Sequence, residues 1–208
     1  MGTRNLTCVQ KDGELVVAKY CQWDGYPKGQ GKIIIDFIAK KFDKKLFISK
    51  LANVKTISEK KLKSLWEKCG ANSNSEFVSL DVSDKFAKQY PHLHRDMGGT
   101  VLAFIQDSDG EVLLQNDKEF AKDSLFCEYA YVLNLDTDSL DICNGFQKEN
   151  PADSIFYNSK KYRPTKKKGD GSVYYPIGFL MSIPFSSIKK NGVAKTIKQI
   201  EKKEKKDD

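Results

Sequence analysis

No stretch of this 208-residue chain approaches the roughly 18–20 consecutive apolar residues that cross a bilayer, so no membrane span and no membrane partner is expected. The opening Met1–Thr7 also lacks the apolar core of a secretory signal. Leu6 stands where a myristoylation signal needs Ser or Thr, and the expected location is cytoplasmic. Histidine is nearly absent: His92 and His94 lie two apart, with no third His or Cys at ligand spacing, so no metal centre is expected. One of the two could still move a proton or meet an anion, because imidazole titrates near neutrality. The five cysteines include no Cys-x-x-Cys pair and are odd in number, which argues against a disulfide framework and for reduced thiols. Cys8, Cys21 and Cys127 sit in apolar or strand-like runs and read as small core residues. The sequon Asn5-Leu6-Thr7 carries no weight in a cytosolic chain.

Complete phosphate-loop signatures are missing too. Gly25-Tyr-Pro-Lys-Gly-Gln-Gly-Lys32 places five residues between its glycine and Gly31-Lys32, and Ile33 follows, whereas a Walker loop needs four and then Ser or Thr. The three spaced glycines of a dinucleotide fingerprint are also absent, and no cofactor is expected. What survives is general: a glycine-rich turn entering a helix can offer backbone N–H groups to an anion. The other reading is that Gly29 and Gly31 simply permit a tight strand-to-helix turn.

What the chain does hold is enough apolar residue for a core, 39%, with 11% aromatic and 30% charged residues. Mean hydropathy of −0.54 describes a very soluble surface. The net charge of +7 favours anionic partners, with the excess lysines around positions 40–68, at Lys160–Lys168 and beyond Lys189. The bland reading of that distribution is a solvated lysine-rich surface.

In chain order, Asn5–Val9 and Glu14–Tyr20 read as strands joined by Lys11-Asp12-Gly13, a hairpin turn in which glycine accepts positive φ. Lys32–Lys41 reads as a mostly buried helix, and Lys44–Asn53 as a second. Ser58 caps a third helix that runs through Cys69 to a stop at Gly70. Asp81–Gln89 and Gly98–Gln106 complete the helical middle. Glu111–Gln115 is ambiguous. Leu125–Leu135 and Ser139–Cys143 form a second hairpin, and Val173–Ile183 returns to strand. Hairpin, helices, hairpin, strand predicts an α+β fold with a largely antiparallel sheet built from N- and C-terminal hairpins with helices between them. The expected organisation is a single domain over 1–188, with a long basic loop near 147–172, then a lysine-rich C-terminal tail over 189–208.

The candidate ligand-gripping residues concentrate in Lys19–Gly31. Trp23 and Tyr26 flank Asp24, so an aromatic could stack a flat ring while the carboxylate accepts its N–H groups; alternatively Asp24 caps a turn and Trp23 is core. Gln22 and Gln30 could read polar edges, and Arg4, Lys28 and Arg95 could neutralise charge. Arg95 equally suits a surface pairing with Asp96 at the start of a helix.

Thr3-Arg-Asn-Leu-Thr7 followed by Val17–Gly31 resembles the opening of a family found in phages, bacteria and fungi, TRNL…VAQY-x-QWDGYP-x-GQG. Arg95-Asp-Met-Gly98 is similar to that family's later RDxG element, and Glu128–Asp136 to its EWAYVIDLD strand. The resemblance covers about three quarters of the chain in blocks and carries no assigned activity. A second likeness, at the level of fold, is to N-terminal-nucleophile hydrolases, which use the side chain of residue one as nucleophile and its amine as base. Some relatives begin Met-Cys-Thr-Arg-Asn-Leu, but Gly2 here cannot be a nucleophile, and Thr3 could serve only after removal of Gly2. These readings favour a non-enzymatic protein that binds a small anionic or nucleotide-like ligand. In a phage, such a protein would sequester a host signalling molecule as counter-defence. The alternatives are an amidohydrolase of the N-terminal-nucleophile type and a basic nucleic-acid or interaction module. Aromatics interleaved with lysines are nearly absent around Lys166 and in the tail, so nucleic acid is not favoured.

Overall fold

The computed structural model describes residues 2–72, 77–149, 156, 165–166 and 173–207. The fold is α+β, with a five-stranded sheet that is mostly antiparallel. Strands β1 (Asn5–Lys11) and β2 (Glu14–Cys21) form the first hairpin, turning at Asp12-Gly13 with φ of +55° and +77°. Strands β5 (Tyr129–Asn134) and β6 (Ser139–Asn144) form the second. The two lie side by side through a parallel β1–β5 pairing, and β9 (Gly178–Pro184) adds to the far edge in the order β2-β1-β5-β6-β9. Asp136 ties the hairpins together: its carboxylate accepts N–H groups of Asp12 at 2.8 Å and Gly13 at 2.9 Å. Those two bonds hold its carboxyl below the usual range.

One face of the sheet is covered by helices α1 (Lys32–Lys40), α2 (Lys44–Leu51), α5 (Val101–Asp107) and α6 (Phe185–Asp207). Ile34, Ile35 and Ile38 of α1 and Ile200 of α6 are fully buried against Tyr131, Leu133 and Leu140. Each such side chain contributes about 1.5–3 kcal/mol of transfer free energy. The opposite face packs Leu6, Cys8, Ala130 and Val132 under Ala121, Cys127 and Ile177. A smaller cluster joins α3 (Glu59–Cys69) to α4 (Leu80–Gln89), with Trp66 stacked on Phe86 at 3.6 Å. Ser58 Oγ accepts from Lys61 N at 3.3 Å and Gly70 closes α3 at φ +107°, as the spacing predicts.

Several boundaries differ from the sequence expectation. The strand predicted from Leu125 starts only at Tyr129, because Leu125 and Cys127 donate back to Asp123 and hold a turn there. The strand predicted over Val173–Ile183 is broken: β8 (Val173–Tyr174) pairs with β7 (Thr165–Lys166), and β9 begins past Pro176. Proline has no N–H to continue a ladder. The ambiguous Glu111–Gln115 holds β4 (Val112–Leu114), parallel to an unanticipated β3 (Val54–Thr56). Residues 189–207 are not an appended tail. They belong to α6, broken at Gly192 (φ +74°), with Thr196, Ile197 and Ile200 buried. Most of the basic loop predicted at 147–172 lies outside the described residues. No helix among the described residues is long and apolar enough to cross a membrane.

Candidate functional site

The chain leaves β2 at Cys21, makes a corner over residues 22–31 and enters α1. Asp24 holds φ at +56°, which turns its carbonyl inward to accept from Gln30 N at 2.7 Å. Gly29 N donates to Tyr26 O at 2.9 Å, so these N–H groups are spent inside the corner. Of the two readings of this turn, the hydrogen bonds of Gly29 and Gln30 fit the tight strand-to-helix turn. The corner is anchored from below by Tyr131, whose buried hydroxyl donates to Gly25 O at 2.8 Å. Gly31 lies so close to that ring that a Cβ would stand 2.9 Å from Tyr131 Oη. Burial pushes the Tyr131 phenol well above its ordinary value.

Gln30 is buried, and its Oε1 accepts from Gly99 N at 2.8 Å. It braces the corner against the Gly98–Thr100 turn that opens α5. Its wall position is retained, but the amide oxygen is committed to Gly99.

The candidate residues fall into two groups. Asp24, Lys28 and Gln30 line a cleft of about 500 Å³ between the corner, α1 and α5. Tyr26 does not line it, but its hydroxyl donates to Asp24 Oδ1 at 3.3 Å. Ile33, Phe37 and Ala103 supply the apolar part of the lining, and Lys32 and Lys41 the cations. Lys28 pairs with Glu201 of α6 at 2.7 Å, and Asp36 with Lys40 at 2.5 Å. Lys32 and Lys41 have no ion pair among the described residues.

Arg4, Gln22 and Arg95 gather instead around Tyr20. The Tyr20 hydroxyl donates to Gln22 Oε1, and its ring meets Phe120 edge-on at 4.9 Å. Burial raises the Tyr20 phenol, while the Arg4 and Arg95 charges pull the other way. Gln22 N donates to Arg95 O at 3.2 Å, which fixes the 92–96 loop against the corner. Arg95 makes a long contact of 3.9 Å with its neighbour Asp96, the surface pairing weighed above. Trp23 is 46% exposed and so is not the core residue of the alternative reading. Its ring lies against Gly2, where a Cβ would stand 2.2 Å from Cε3. A cysteine at that position would need this ring to move.

One face of β1 and β2 buries the polar Asn5, Thr7 and Lys19 beside the apolar Val9, Val17 and Cys21. Lys19 is 1% exposed, sits opposite Thr7 across the hairpin and donates to Leu93 O at 3.2 Å. Burial lowers its amine below the ordinary lysine value, against the opposing pull of Asp117. The histidines do not share a face: His92 stacks on Phe104 at 5.1 Å, and His94 lies 3.4 Å from Ser83 Oγ. Burial lowers both. Among the described residues no three His, Cys, Asp or Glu side chains group as metal ligands. All five cysteines are free and buried.

No family model matches the chain, and no curated protein or solved structure matches it either. The site is therefore read from its own chemistry. Sequence reasoning missed Lys32 and Lys41 as site residues: Lys41 follows the end of α1, and positions nine apart on a helix fall on opposite faces, so no helical spacing marked the pair. It also missed Phe126 and Phe146, which three distant segments bring beside Arg4.

Proposed function

We propose that the protein binds a small anionic, nucleotide-like molecule in the cleft between the corner, α1 and α5. The observation that carries this reading is the pairing of an apolar lining (Ile33, Phe37, Ala103) with two cations, Lys32 and Lys41, that have no ion pair among the described residues. A volume of about 500 Å³ suits a small ligand. The ligand's flat body lies on the apolar wall, its anionic end meets Lys32 or Lys41, and Asp24 accepts from an N–H edge. The Tyr26 hydroxyl holds the Asp24 carboxylate in place. On the resemblance to phage proteins, we read the binding as sequestration without turnover.

Isothermal titration against a panel of mono- and dinucleotides tests this. At least one member gives saturable heat, weakened by salt and lost in the Lys32→Ala/Lys41→Ala double variant. A panel with no heat removes the proposal.

A further inference from the structure

A second cleft lies at the same end of the sheet, where the segments that precede β1 and β5 meet the one that follows β6. It holds about 280 Å³ and is lined by Gly2, Thr3, Arg4, Leu125, Phe126, Glu128 and Phe146. Its Arg4 guanidinium carbon lies over the Phe126 ring, 4.4 Å from the centroid, and Arg4 makes no ion pair among the described residues. A stacked guanidinium keeps its N–H edge open for an in-plane carboxylate. Glu128 stands in the same wall. Its Oε1 accepts from Arg4 N at 3.2 Å.

Phe146 is the feature that needs a cause. It is 55% exposed and sits at φ +57°, a backbone state that costs a bulky L-residue and suits glycine. The fold over-determines it: Phe146 N donates to Ser124 O at 2.7 Å, and Gln147 N to Ser124 Oγ at 3.0 Å. Neither exposure nor strain helps folding, so holding a phenyl ring over this cleft serves something else. Phe126, also 40% exposed, is the other ring.

We propose that this cleft is a binding site for a small aromatic zwitterion, of the class of an aromatic α-amino acid. The ligand's carboxylate meets the Arg4 edge, its ammonium meets Glu128, and its ring lies against Phe126 and Phe146. One cation, one anion and two exposed rings in one small concavity match those three groups. The site shares no lining residue with the cleft between α1 and α5, and it stands or falls independently of that cleft.

The test uses the full chain and three probes: L-phenylalanine, phenylacetate (no ammonium) and phenethylamine (no carboxylate), followed by ligand-observed NMR or titration calorimetry. L-Phenylalanine binds at least about tenfold tighter than either fragment. Arg4→Gln weakens L-phenylalanine and phenylacetate by about tenfold or more and leaves phenethylamine unchanged. Phe146→Gly loses binding of all three while its melting temperature equals or exceeds that of the parent, because glycine relieves the positive φ. Lys32→Ala/Lys41→Ala changes none of this. The proposal is overturned if no probe binds saturably by about 10 mM, or if the three bind alike. It is also overturned if Phe146→Gly melts well below the parent, which would make the ring a structural element.

Discussion

Replacing Gln30 with methionine keeps the length of the side chain and removes its acceptor. The Gly99 N–H then loses its partner at 2.8 Å inside a buried contact. An unsatisfied buried donor costs about 1–3 kcal/mol. For a chain of this size that lowers the melting temperature by roughly 2–12 °C. Packing is nearly conserved, so the loss reports the hydrogen bond more than a cavity. Gly98 supplies the control. A Cβ there would lie 2.2 Å from Gln30 Oε1 and would hold φ near +51°, so Gly98→Ala is destabilising on both counts. Pairing Gly98→Ala with Gln30→Ala, which empties the space the Cβ needs, relieves the steric part and leaves the φ strain. Chemical denaturation of the four proteins in that cycle yields a favourable coupling of about 0.5–3 kcal/mol. An unchanged midpoint for Gln30→Met, or strict additivity in the cycle, refutes the role of Gln30 as the brace between the corner and α5.

Tyr131→Phe strands the buried Gly25 carbonyl and costs about 1–3 kcal/mol, read from urea midpoints. Ile197→Ala and Ile200→Ala each cost about 2–5 kcal/mol, and deletion of 197–208 lowers the melting temperature sharply; an unshifted melt would return this segment to the status of a tail. Burial raises the thiols of Cys8, Cys127 and Cys143, so above the ordinary thiol value near 8.5 the unfolded chain loses protons that the native chain keeps. Stability therefore falls as pH rises past that value, by at most about 1.4 kcal/mol per pH unit per thiol. Lys19 has the opposite sign: its lowered native value means the unfolded chain holds more protons below the ordinary lysine value, so its contribution rises with pH. Urea midpoints at pH 7.5 and 10 fall more steeply in Lys19→Met than in the parent, and parallel profiles would contradict the burial of its charge.

Local chemistry was the legible part of this fold. Asp12-Gly13 and Asp136–Asp138 gave both hairpins, and Ser58 with Gly70 gave α3, because turns and caps depend on residues a few positions apart. The central parallel pairing of β1 with β5 was not legible, since nothing within either strand encodes a partner more than a hundred positions away. Nor was β3, whose three residues carry no periodicity. Lys19 was readable in part: period two puts it on one face with Val17 and Cys21, both buried. The candidate site split for a similar reason. A run of thirteen residues looked like one grip, but Asp24 at positive φ swings the chain, sending Gln22 toward Tyr20 and Lys28 toward α6. The N-terminal cleft was hidden altogether, because its rings come from positions 126 and 146 and its cation from position 4.

The central claim is that the cleft lined by Lys32 and Lys41 takes a small anionic ligand. Calorimetric titration of the nucleotide panel into the parent and the Lys32→Ala/Lys41→Ala variant, at low and moderate salt, tests it most directly. The account predicts saturable, salt-sensitive binding of at least one nucleotide in the parent and its loss in a variant that melts normally. Binding that survives both substitutions, or no binding in the parent, contradicts it.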